Sequence, residues 1–276
     1  MEIISIHSAG SDASDDNNES VRNICTATLS EFCGTFMFLL LAFSATQIAD
    51  IGSTEGNIRG NELSGWYSGP RLDVLVYISL AFGISLAVNV WIFYRVSGGM
   101  FNPIVSLALN LVAAISFPRT ICVIIAQFVA SIAAAGVTSA LFPGPLRVST
   151  RLGAGTSITQ GLFIEMFLTA LLVVTYIMLG WLKHRATFLA PLGVGLAGFI
   201  THLSGVYFTG ASLNPARSLG PDAVVGSFPG YHWIYWVGPS LGGLLAVGLY
   251  FLLHAMNYET CSPGQDADGY ADEIPH

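Results

Sequence analysis

The sequence predicts an all-α transmembrane protein with six spanning helices and two re-entrant half-helices arranged as an inverted repeat. Three observations predict it. The 276 residues are 53% hydrophobic and only 10% charged, with a mean hydropathy of +0.64, whereas a soluble domain carries roughly 25% charged residues. Six apolar stretches are each long enough for a bilayer core, which takes about 20 helical residues. One phrase is also written twice. Ser97-Gly98-Gly99-Met100-Phe101-Asn102-Pro103-Ile104 returns as Thr209-Gly210-Ala211-Ser212-Leu213-Asn214-Pro215-Ala216, and Ser106-Leu107 is answered by Ser218-Leu219.

Residues 1–23 form an acidic tail, with Asp12, Asp15, Asp16 and Glu19. It is too poor in apolar residues to fold alone and reads as disordered, and it lacks the charged-then-apolar pattern of a signal peptide. The spans follow at about 24–48, 72–94, 118–142, 158–182, 187–207 and 232–256. Together they make a membrane domain over 24–256, in two halves of about 24–142 and 158–256. A second acidic tail, 257–276, carries Glu259, Asp266, Asp268, Asp272 and Glu273 and is also expected to be disordered; the two ends supply most of the net charge of −7. The insides of the spans are nearly free of charge, with Glu31, Glu165, His202 and His254 as the exceptions. Small residues such as Gly83, Ala87, Gly136, Gly195, Gly242 and Gly243 suit close helix packing in lipid. Cys25, Cys33 and Cys122 lie in or beside spans and read as buried free thiols; with Cys261 they show no metal spacing. No basic patch points to nucleic acid.

The repeated phrase sets the remaining elements. Asn is a natural N-cap and Pro suits the first helical position, so helices start at Asn102-Pro103 and Asn214-Pro215. Residues 102–113 and 214–223 allow only about ten helical residues each, roughly 15 Å or half a membrane. Short, Gly/Pro-interrupted segments at matching places in two halves point to a functional site. Three full spans per half is an odd number, so the second half enters from the opposite side. Glu31-x-x-x-Thr35 and Glu165-x-x-x-Thr169 are matching members of the repeat. Both termini then share one face. The short Lys183-His184-Arg185 run favours a cytoplasmic one, although Arg22, Arg95, Arg119, Lys183 and Arg185 on that side are nearly balanced by Arg59, Arg71, Arg147 and Arg151 on the other. Unpaired carbonyls cannot face lipid, so loops 97–101 and 209–213 are buried in protein or line a water-filled cavity.

Two Asn-Pro half-helices, six spans and an inverted repeat resemble the aquaporin, or major intrinsic protein, family. The resemblance covers roughly 24–256. It is carried most specifically by Thr209-Gly-Ala-Ser-Leu-Asn-Pro-Ala-Arg217-Ser218 and by His232-Trp233-Ile-Tyr-Trp236-Val-Gly238-Pro239, which is similar to the start of that family's sixth helix. It implies a pore centre at Asn102, Pro103, Ile104, Asn214, Pro215 and Ala216. It implies a selectivity filter of Phe82, His202, Ala211 and Arg217, a set similar to the water-selective branch, where glycerol-passing relatives put a small residue at the histidine place. It implies that Glu31 and Glu165 are buried supports for the loop backbones. It further implies a homotetramer in the plasma membrane, water as the permeant, and no cofactor, metal or enzyme activity.

The physics of the residues supports this reading. Carbonyls of Gly98, Gly99 and Met100, and of Thr209, Gly210 and Ala211, give water a ladder of acceptors. Asn102 and Asn214 point amide donors at the centre, and two positive helix ends repel cations, protons included. Arg217 in a membrane segment is a functional-site candidate by default. Three departures stand out. Ile104 replaces the family's usual alanine and either narrows the pore or packs away from it. Met100 stands where many relatives have His, and Asp222 has no evident partner in the sequence. Rival readings are a channel that also passes hydrogen peroxide or glycerol, a secondary transporter, and a weakly conducting structural or regulatory membrane protein.

Overall fold

Each apolar stretch becomes a helix in the computed structural model, which describes residues 20–58, 71–182 and 186–262. The acidic tails before residue 20 and after 262, Arg59 and the Lys183-His184-Arg185 run lie outside the described residues. The long helices are α1 (Val21–Ile58), α2 (Leu72–Phe93), α4 (Phe117–Leu141), α5 (Ile158–Thr175), α6 (Ala190–Thr209) and α8 (Ile234–Ala255). All six are long and apolar enough to cross a membrane. The half-helices are α3 (Pro103–Leu111) and α7 (Pro215–Val225).

Local chemistry fixes the helix ends. Asn102 Oδ1 accepts the Ile104 N–H, and Asn214 Oδ1 accepts those of Ala216 and Arg217. Ser157 and Gln160 form a reciprocal capping box at the start of α5. The α5 helix continues into a wider π-helical turn, Tyr176–Trp181, in which the Leu182 N–H bonds to the Ile177 carbonyl five residues back. The α7 helix stops at Gly226, whose φ of 71° lies in the left-handed region that favours glycine.

Several boundaries differ from expectation. Helix α1 runs on to Ile58, past its apolar window, which ends at Ala49. Residues 21–23, placed in the tail, belong to its first turn, and residues 258–260 of the other tail form a short 3₁₀ turn. Hydropathy marks where a chain prefers lipid, not where its helical bonds end. Of the three thiols expected to be buried, Cys25 is exposed and Cys33 and Cys122 are half-buried; all are free.

The helices pack through small residues and turn large ones outward. A side chain at Gly83 would strike the Gly195 carbonyl and Phe199, which fixes the close approach of α2 and α6. Gly238 and Gly242 bring α8 equally close to α5. Gly136 is different, with open space around it. Ile84, Val88, Ile125, Val129, Leu196 and Leu244 are exposed, an apolar surface that suits acyl chains rather than water.

The two half-helices meet head to head, and their loops exchange bonds crosswise. Asn102 Nδ2 donates to the Leu213 carbonyl and Asn214 Nδ2 to the Phe101 carbonyl, both at 2.8 Å. Each half-helix also packs onto a long helix of the other half. Ile104 of α3 lies against Gly243 of α8, and Gly220 of α7 lies against Ser131 of α4.

Candidate functional site

The loops before the half-helices are backbone twins. Gly98 (φ 97°) matches Gly210 (80°), Gly99 (65°) matches Ala211 (47°), and Phe101 (51°) matches Leu213 (53°). Three of these are side-chain-bearing residues in the left-handed region, which costs on the order of 1–3 kcal/mol each and persists only where surroundings over-determine it. Two buried carboxylates do so. Glu31 accepts the N–H groups of Met100 (3.0 Å) and Phe101 (2.8 Å), and Glu165 those of Ser212 (2.9 Å) and Leu213 (2.8 Å). Glu31 also accepts from Ser97 Oγ (2.6 Å) and Gln127 Nε2 (2.8 Å).

Between the loops lies a narrow lumen. Phe38, Leu86 and Leu172 give it apolar walls, and both Asn102 and Asn214 face it. Each asparagine spends one amide N–H on the opposite loop and keeps a second. Toward one end Phe82 stacks on His202 at 4.1 Å between ring centroids, and the Arg217 guanidinium carbon sits 5.2 Å from the Phe82 ring. Arg217 Nη1 donates to the Val148 carbonyl at 2.7 Å. His202 Nδ1 lies 2.7 Å from the Gly198 carbonyl and donates to it, which leaves Nε2 as an acceptor. His202 Nε2 and Arg217 Nε have no protein partner although both are buried. Such atoms cost on the order of 1–3 kcal/mol each unless a small polar molecule meets them. Among the described residues, no cluster of three or more His, Cys, Asp or Glu side chains is placed to hold a metal ion.

Residues 18–250 match the family described as Major intrinsic protein. The chain belongs to the major intrinsic protein (aquaporin) family. It is 53% identical over 93% of its length to Aquaporin-7 of Botryotinia fuckeliana and spans 56% of that protein. It is 50% identical over 91% of its length to Aquaporin-1 of Gibberella zeae and spans 76% of it. The chain thus spans about half the length of the first of these relatives. Its fold is also that of the aquaglyceroporin from Plasmodium falciparum, with a TM-score of 0.69 over 86% of this chain and 99% of that one, at 18% identity. Aquaporins are multi-pass membrane channels rather than enzymes, and this chain has the helices for it.

Within this aquaporin fold the residues singled out from the sequence divide into two layers. Phe82, His202, Arg217, Asn102, Asn214 and Met100 reach the lumen. Ala211 is fully buried, with its methyl close to Gly205. Pro103, Ile104, Pro215 and Ala216 are likewise buried behind the wall. Of the two outcomes open to Ile104, packing away from the lumen is the one observed. The carbonyl ladder is also less free than expected. Thr209 O accepts the Tyr235 hydroxyl (2.9 Å) and Gly99 O the Tyr176 hydroxyl (2.9 Å). Gly98 lines a separate vestibule, and Gly210 packs against the backbone of Thr150 and Arg151.

Sequence reasoning missed the partners that hold this aquaporin's connecting loop. Gln47 grips it from α1, donating to Pro145 O and accepting from Arg147 N, both at 2.9 Å. Thr150 Oγ1 bonds to Ser218 Oγ at 2.8 Å. Arg151 reaches both oxygens of the fully buried Asp222 (2.7 and 3.0 Å), and His232 Nδ1 lies 2.8 Å from Asp222 Oδ2. Asp222 is therefore an anchor for the loop. A lone acidic residue inside an apolar half-helix was its only signal.

Proposed function

We propose that this aquaporin is a water-selective channel driven by osmotic gradients. One observation carries the reading. Phe82 and His202 stack ring on ring beside Arg217, and the two unpartnered buried atoms of that group are one acceptor and one donor. A water molecule satisfies both at once, and rings of this bulk oppose a three-carbon polyol. At the centre the second N–H groups of Asn102 and Asn214 hold a passing water as an acceptor, which turns its own hydrogens away along the file. The positive ends of α3 and α7 and the Arg217 charge oppose cations, hydronium included.

The same reading carries a homotetramer with one lumen per subunit, because the exposed apolar faces suit both lipid and a neighbouring subunit. Three full spans in each half place both termini on one side, and the Lys183-His184-Arg185 run favours the cytoplasmic one. The test is stopped-flow light scattering of proteoliposomes. In a sucrose gradient they should shrink well above the protein-free rate. In a glycerol gradient they should re-swell no faster than protein-free vesicles. Glycerol uptake well above that background overturns the water-selective reading in favour of a broader channel. Shrinkage at the background rate overturns the channel reading itself.

A further inference from the structure

Past the first loop the lumen gives way toward residues 94–98. Beyond it lies a vestibule walled by Tyr94, Ser97, Gly98, Arg119 and Trp181. Among the described residues, Tyr176 is the one that lines both the lumen and this vestibule. It is 3% exposed, and its hydroxyl donates to the Gly99 carbonyl at 2.9 Å, with the Met100 carbonyl 3.3 Å away. Gly99 and Met100 directly follow Gly98, which lines the vestibule.

We propose that Tyr176 is a second permeation-limiting residue, a plug at the vestibule end of the lumen whose hydroxyl occupies the Gly99 carbonyl in place of a permeating water. The proposal rests on the channel reading above. Its geometry is independent of the Phe82–His202–Arg217 group, since Tyr176 stands on the other side of the asparagine pair, against the first loop instead of the second. The backbone supports it. Tyr176 opens the π-helical turn, and such turns recur at functional sites because they re-aim a side chain without ending the helix. The turn is held from outside by the Tyr94 hydroxyl, which donates to the Gly180 carbonyl at 2.7 Å. A second tyrosine makes the contrast. Tyr235 also gives its hydroxyl to a loop carbonyl, that of Thr209, but it stands behind the wall.

The experiment compares unit water permeability, normalised to protein content, for the wild type, Tyr176→Phe, Tyr176→Leu and Tyr235→Phe in proteoliposomes. Tyr176→Phe keeps the ring and frees the carbonyl. It should raise permeability by about threefold or more, the rate change that one neutral hydrogen bond is worth. Tyr176→Leu removes the ring as well and should raise it at least as far. Tyr235→Phe should give no such rise. A conducting wild type whose two Tyr176 variants stay at or below its permeability overturns the plug and leaves the channel reading intact. A Tyr176→Leu rise with none in Tyr176→Phe overturns the hydroxyl's role. If wild type and variants all stay at the protein-free rate, the channel reading falls and the proposal with it.

Discussion

Ile104 stands where the other copy of the repeat has Ala216, and Gly243 makes the room it needs. A β-carbon at Gly243 would lie 2.7 Å from Ile104 Cγ2, so the extra bulk on α3 is matched by a missing side chain on α8. Ile104 is 4% exposed and behind the lumen wall, which ties its effect to packing and not to conduction. Ile104→Ala should lower stability by about 2–4 kcal/mol through the cavity it leaves. Unit water permeability should change by less than about threefold, since no lumen group loses a contact. Gly243→Ala should destabilise by crowding, and the double variant should recover part of both losses, a coupling typical of residues in contact. Melting in detergent and vesicle shrinkage measure the two effects separately. A tenfold or larger permeability gain in Ile104→Ala would mean that the isoleucine blocks the lumen after all.

The loop-and-half-helix unit occurs twice, yet its two supports are unequal. Glu31 serves four donors, from Ser97, Met100, Phe101 and Gln127, whereas Glu165 takes the two N–H groups of Ser212 and Leu213 and the Thr209 side chain. Replacing either by glutamine keeps the shape but turns one acceptor oxygen into a donor. A buried N–H of the loop then faces an amide group, at a cost of roughly 1–3 kcal/mol. Glu31→Gln should therefore lower the melting temperature more than Glu165→Gln. Equal shifts would show that the extra donors of Glu31 add nothing. This unit also marks how far the sequence is legible. Asn-Pro after a Gly-rich run announces a helix start through capping and proline geometry alone, so both half-helices were readable, as were the six apolar spans. The matching glutamates were readable because the repeat aligns them. Gln127, Tyr176, Tyr235 and Asp222 were not, because each acts through a partner between 26 and 96 positions away in the chain or, for Asp222, 71 positions away at Arg151.

At the scale of the whole molecule the halves are interlocked, so neither encloses the lumen alone. Helix α3 of the first half leans on α8 of the second, and α7 of the second leans on α4 of the first. The second contact is backbone-close. Ser131 Oγ donates to the Ala216 carbonyl, and a β-carbon added at Gly220 would lie 2.6 Å from the Ser131 carbonyl oxygen, too near for a carbon. Because that neighbour is main chain in mid-helix, it cannot swing aside, and α7 must move as a rigid unit. Asn214 and Arg217 ride on α7, so the crosswise bond to Phe101 and the contact of Arg217 with Val148 move with it. Gly220→Ala should therefore destabilise by about 1–3 kcal/mol, the usual cost of overpacking, and should also lower water permeability. Gly136→Ala on α4 is the comparison that isolates the contact. Gly136 has open space around it, so an added methyl meets nothing and the helix gains roughly 0.5–1 kcal/mol from the lost backbone freedom of glycine. The same chemical change thus carries opposite signs at two glycines, one at the seam between halves and one away from it. Thermal melting of the purified protein together with vesicle shrinkage decides it. Equal melting temperatures for the two variants would mean that the seam is slack and that the lumen does not depend on the halves being locked together.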